Sequence, residues 1–134
     1  MAFPDALGLL IAYLTPLHAP VPVLSRVPDP RPTPLLQVRR VGGAATVPVR
    51  DTARFDLWVW HTNDHAAMQL ALAVRASVWA LSGTTLLGPP CYRVQEFLAP
   101  RLDDDPITNT PRVWMTHSLD LRANDAIHPA PNFR

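Results

Sequence analysis

The sequence predicts an α+β domain: an antiparallel or mixed sheet of about four strands with two helices packed on one face. Three stretches point there. Residues 54–60, RFDLWVW, alternate with period two, Phe55, Leu57 and Val59 to one side and Asp56, Trp58 and Trp60 to the other. After His61 the period becomes helical, with Ala67, Leu70, Ala71, Val74, Val78 and Leu81 on one stripe that Met68, Leu72 and Trp79 widen. Residues 112–122, RVWMTHSLDLR, alternate again as a long last strand.

The elements follow in chain order. Pro4 suits a first helical turn, and Leu7, Leu10, Ile11 and Leu14 give residues 4–15 a buried face. Pro16 ends that helix by pushing its predecessor out of helical geometry. Residues 16–34 hold seven of the chain's 16 prolines, which excludes a helix. Residues 21–24 are compatible with a short edge strand, and residues 26–34 read as a stiff extended connector. A signalling-type proline-rich ligand is the other reading, but the position between two core elements favours the connector.

Residues 35–41, LLQVRRV, form a strand, and Gly42-Gly43 opens a long connection up to Arg54. Thr62, Asn63 and Asp64 supply an N-cap for the helix of about five turns, and Ser82-Gly83 ends it. Residues 84–90 are a turn-rich connector. Residues 91–98, CYRVQEFL, make a strand with Tyr92, Val94, Glu96 and Leu98 on one face. Residues 99–111 are a polar loop with three consecutive aspartates, and residues 123–134 an extended C-terminal tail.

The 134 residues suit a single domain, 1–134, with residues 1–34 as N-terminal helix and proline-rich connector. A formal net charge of +1 is too balanced to argue for nucleic acid or an acidic membrane surface. All twelve basic residues are arginine, a pattern that GC-rich coding explains. The single cysteine, Cys91, rules out an intramolecular disulfide and reads as a small buried side chain. The apolar run 6–14 lacks a basic leader and is too short to cross a bilayer, so a soluble cytoplasmic protein without a membrane partner is expected.

No constellation argues for catalysis. His61 and His65 are four apart, but the corner at Asn63-Asp64 separates them, and no Glu or Cys completes a metal set. Asp103, Asp104 and Asp105 lack the spacing of a calcium loop. No serine sits in a nucleophile elbow, no glycine loop cradles phosphate, and Glu96 is the only glutamate. Neither enzyme activity, cofactor nor metal is expected.

The alternation places Trp58, Trp60 and Trp114 together on the face away from the helices. Either another chain covers that face or the N-terminal segment folds back over it, and the sequence leaves both open. Arg39 and Arg40 point to opposite faces of their strand, and one of them is free for a partner. The basic residues Arg39, Arg40 and Arg50, the three tryptophans, and the acidic run Asp103, Asp104 and Asp105 are therefore the expected interface residues, the opposite charges meeting across copies in a ring. A nucleic-acid-binding module ranks lower, because acids nearly balance the arginines.

VRRVGG at 38–43, DTARFDLWVWHTN at 51–63 with its alanine-rich helix, YRVQEF at 92–97 and TPRVWMTHSLDLR at 110–122 resemble the tail-terminator (tail-completion) proteins of long-tailed bacteriophages, in particular those of GC-rich actinobacterial hosts. The likeness runs from about residue 20 to the end of the last strand. It implies a non-enzymatic virion protein with an α+β fold, assembled in the host cytoplasm into a six-membered ring. Such a ring sits at the head-proximal end of the tail, halts polymerisation of the major tail tube protein and meets the head-completion proteins. Genomic DNA passes through its hole without specific binding. A head-side connector, adaptor or stopper, is the alternative. Loops 43–53 and 99–111 are the expected tube contacts, and deleting either tip is expected to stop tail joining while leaving the fold intact.

Overall fold

Period-two alternation makes residues 50–60 the strand on which the sheet is centred. The computed structural model describes residues 4–46 and 50–122. In chain order the elements are α1 (Ala6–Leu17), β1 (Val23–Leu24), β2 (Leu35–Thr46), β3 (Arg50–Trp60), α2 (Asp64–Trp79), β4 (Thr84–Thr85), β5 (Pro90–Leu102) and β6 (Arg112–Arg122). The six strands form one mixed sheet in the order β1-β2-β3-β6-β5-β4, antiparallel except for the β1–β2 pair. The expected α+β class holds; four strands was an undercount, since β1 falls within the short edge strand read at 21–24 and β4, two residues long, is too short to show a period.

Both helices pack on the inner face. One cluster joins Leu10 and Leu14 of α1, Leu36 and Val38 of β2, Phe55, Leu57 and Val59 of β3, Ala71, Val74 and Val78 of α2, and Met115, Leu119 and Leu121 of β6. Asn63 caps α2, its side-chain oxygen accepting from the Ala66 N–H at 2.8 Å. Tyr13 Oη donates to the Ser77 carbonyl at 2.7 Å and fastens α1 to α2.

Several expected boundaries shift. α1 passes through Pro16 to Leu17. In the last turn proline forfeits only its own N–H, and Thr15 Oγ1 and the His18 N–H still reach the Ile11 and Leu14 carbonyls. α2 ends at Trp79, and Gly83, at φ 80°, closes the turn after it. Its buried stripe is narrower than expected, since Leu72 and Trp79 are exposed. A helix lying on a sheet buries only the arc that faces it.

The long connection after Gly42-Gly43 is mostly strand. β2 and β3 pair from Leu35↔Trp60 to Thr46↔Arg50, so residues 43–46 and 50–53 of the expected loop are strand, and its tip, residues 47–49, lies outside the described residues. A bulge between Arg40 and Gly42 makes this possible. There Gly43 has φ 97°, and a Cβ would run into the Thr52 carbonyl oxygen. β5 likewise runs four residues past the expected Leu98 to Leu102 and shifts register three times. Each shift moves side chains between faces: Cys91, Val94 and Glu96 pair with inner residues, while Tyr92 meets Arg50 and Leu98 pairs with Thr116 on the outer face. The proposed tail, residues 123–134, lies outside the described residues.

Candidate partner-binding face

The outer face of the sheet takes the side chains that alternate away from the core. Register places Trp58 opposite Trp114 and Trp60 opposite Leu35 and Arg112. The Trp58 and Trp114 rings lie nearly parallel, 9° apart in plane, with centroids at 6.3 Å. Trp60 is 3% exposed. Its indole N–H donates to Asp105 Oδ2 at 3.1 Å, and the guanidiniums of Arg31 and Arg112 lie 5.8 and 5.5 Å from its ring.

Of the two expectations for the tryptophans, the fold-back of the N-terminal segment is seen at Trp60. The proline-rich connector does fold back, with Arg31 donating to Thr110 Oγ1 at 2.9 Å, and it covers Trp60. Trp58 and Trp114 remain half-buried at a groove of about 560 Å³. Its walls are these tryptophans, Asp103, Asp105, Arg39 and Ile107, the last 91% exposed.

Asp105 explains why the 103–111 loop holds its shape. Its carboxylate accepts from the Ile107 and Thr108 N–H groups and from Trp60. Burial pushes its pKa up, but those hydrogen bonds and the Arg112 charge outweigh it and hold the carboxyl below its usual range. Asp103 pairs with Arg112 at 2.9 Å. Asp104 is exposed and does not line the groove.

Of the expected interface residues, the fold gathers Arg39, Trp58, Trp60, Asp103, Asp105 and Trp114 around one groove. Two lie elsewhere. Arg50 sits at the far end of β3, 4.7 Å from the Tyr92 ring. Arg40 faces the helix side, where both terminal guanidinium nitrogens donate to the Asp51 carboxylate at 2.7 and 2.9 Å. As expected, Arg39 and Arg40 lie on opposite faces, opposite Asp56 and Phe55 respectively. Arg112 was missed, although its parity with Trp114 places it on this face. Arg31 reads in the sequence only as one of several basic residues, and no local pattern ties it to Trp60.

The inner face hides a second polar group. Arg75 of α2 donates twice to Glu96, both at 2.8 Å, and Glu96 lies 3.2 Å from His117 Nε2. Burial lowers the His117 pKa against the pull of Glu96, so at neutral pH the imidazole is uncharged and its Nε2–H donates. Burial raises the Glu96 pKa, but Arg75 and His117 outweigh it and the net shift is downward.

These shifts set a pH dependence. A histidine with a lowered folded pKa stabilises fully above about pH 6.5 and loses that contribution as pH falls towards its folded value. Glu96 holds its contribution above about pH 4.3 and loses it as pH falls through its own lowered pKa. The urea midpoint is expected to fall in two stages on acidification. His117→Gln should shrink the upper stage, while a lower stage persists because Arg75 still holds Glu96. Some of the upper stage survives because burial also lowers the His18 pKa.

Cys91 is 1% exposed, and burial pushes its thiol up to about 11, which makes it a poor nucleophile. Among the described residues no group of three or more His, Cys, Asp or Glu is placed to hold a metal ion. No helix among them is long and apolar enough to cross a membrane. Compared with known proteins, the chain matches no family model and no curated protein.

Proposed function

We propose that this chain is a phage virion protein, a tail terminator that closes as a ring on the tail tube, stops its growth and joins tail to head. The observation that carries the reading is a pair of open sheet edges. β1 covers only Leu36 and Gln37 of β2, and β4 only Pro90 and Cys91 of β5. Beyond them, residues 38–46 and 92–102 have no strand on their outward sides among the described residues. These edges lie at opposite margins of one sheet.

An open edge is a template for another strand. Two on opposite margins suit a head-to-tail contact between copies, which closes into a ring when the rotation between neighbours closes. Helices on one face only leave the other face available to line or contact something. The resemblance adds six copies, the tube protein and head-completion proteins as partners, and a place at the head-proximal end of the virion tail. A head-side connector would use the same edges but seat on the head.

Incubation of the purified protein with tail tubes and with heads, viewed by negative stain beside its mass from light scattering, tests this. Rings capping tube ends support the terminator. Binding to heads alone moves the assignment to the connector, and binding to neither removes both.

A further inference from the structure

The whole chain is nearly neutral, yet the outer face of the sheet carries an excess of arginine; at its groove end Asp103 and Asp105 are held by Arg112, Trp60 and loop N–H groups. Outward positions of β3, β5 and β6 carry Arg50, Arg54, Arg93, Arg101, Arg112 and Arg122 against only Asp56 and Asp120. Both carboxylates are engaged: Asp56 accepts from Thr116 Oγ1, and Asp120 accepts from Thr52 Oγ1 and pairs with Arg93. Arg112 is paired with Asp103. Arg50, Arg54 and Arg101 have no carboxylate partner among the described residues.

Each of these three is exposed and lies over an aromatic ring instead: Arg50 at 4.7 Å from Tyr92, Arg54 at 4.2 Å from Phe97, and Arg101 at 5.9 Å from Trp114. Ring contacts hold a guanidinium in place without consuming its N–H donors. The rungs follow the strand direction. At about 3.3 Å per residue, Arg50 and Arg54 stand about 13 Å apart, and the last rung, at the Trp58–Trp114 register, lies about 26 Å from Arg50. That is about eight phosphates along one DNA strand at 3.4 Å each.

We infer that this arginine–aromatic ladder is a sequence-independent binding strip for the phosphate backbone of nucleic acid. Charge complementarity selects a polyanion. The elongated row of preorganised guanidiniums selects a linear one. Because the rings already carry guanidiniums, they are not free platforms for bases, so the strip reads backbone and not sequence. The inference is independent of the ring: it concerns a single copy and holds whether or not copies assemble.

Fluorescence anisotropy with a labelled 20-base-pair duplex, titrated from 50 to 200 mM salt, tests it. Three phosphate contacts predict a slope of log K against log salt of about −2.7. Arg50→Gln/Arg54→Gln/Arg101→Gln should weaken binding at 50 mM salt more than tenfold and flatten the slope, with an unchanged circular dichroism spectrum. Should that variant misfold, the double change Arg50→Gln/Arg101→Gln at two exposed positions is expected to lower the slope by about two-thirds. No binding by the wild type at 50 mM salt, or binding that survives the folded variants, overturns the inference. Equal affinity for polyglutamate also overturns it and assigns the strip to an acidic protein surface. Tube capping is read separately, so either proposal can fail alone.

Discussion

Replacing Phe55 by alanine is expected to cost about 3–5 kcal/mol of folding stability, the range for emptying a large aromatic site in a packed core. Phe55 is 1% exposed and belongs to the cluster that joins both helices to the sheet. It lies on β3, which pairs with β2 on one side and β6 on the other. The cavity would therefore open where three strands and the helical layer meet, and neighbours held in ladders cannot collapse into it. Chemical denaturation with the transition slope unchanged is the measurement. A loss below about 1 kcal/mol would mean that the helical layer does not pack on this strand. Since domains of this size are stable by only about 5–15 kcal/mol, the variant is expected to be close to unfolding at physiological temperature.

Arg40→Ala is expected to destabilise by about 2–3 kcal/mol, whereas Arg39→Ala should change stability by less than about 0.5 kcal/mol. The two are adjacent and chemically identical, so the contrast isolates the face. Arg40 holds the Asp51 carboxylate with two short hydrogen bonds, and the Asp51 side chain is 5% exposed. Removing Arg40 leaves that carboxylate buried without its partner. The figure is set below the 3–5 kcal/mol of a fully buried pair because Arg40 itself is 33% exposed and partly screened. Arg39 makes only a 3.3 Å bond to the Ser25 carbonyl at the surface. Urea denaturation of both variants checks this. Equal losses would show that the Arg40–Asp51 pair adds nothing to the fold. Arg40 is thus tied to Asp51 on the helix side of β2, and Arg39 lies at the groove.

The remaining interface candidates sort by the same logic. Trp60, expected to be free for a partner, is held by Asp105 and covered by Arg31 and Arg112. Trp58 and Trp114 keep surface to offer. The acidic run divides in the same way. Asp103 and Asp105 maintain the loop, and Asp104 is exposed and does not line the groove.

Local periodicity was enough to establish the α+β class, the two long helices, the inner-face residues of β3 and β6, and the bounds Arg112–Arg122, because alternation and helical spacing are properties of neighbouring residues. It also placed the three tryptophans on one face and narrowed the α2 cap to residues 62–64, of which Asn63 serves. Register, bulges and distant pairings were decided in three dimensions. The bulge at Arg40–Gly42 carries a strand through a glycine pair that reads locally as a turn, because pairing with β3 compensates the irregularity. Three shifts in β5 reassign which side chains meet the core, and no local pattern encodes them. The Arg75–Glu96–His117 group, the Arg40–Asp51 pair and the arginine–aromatic ladder each join residues from different elements. Such contacts depend on how strands and helices come together, and a sequence read in windows of a dozen residues contains no term for that.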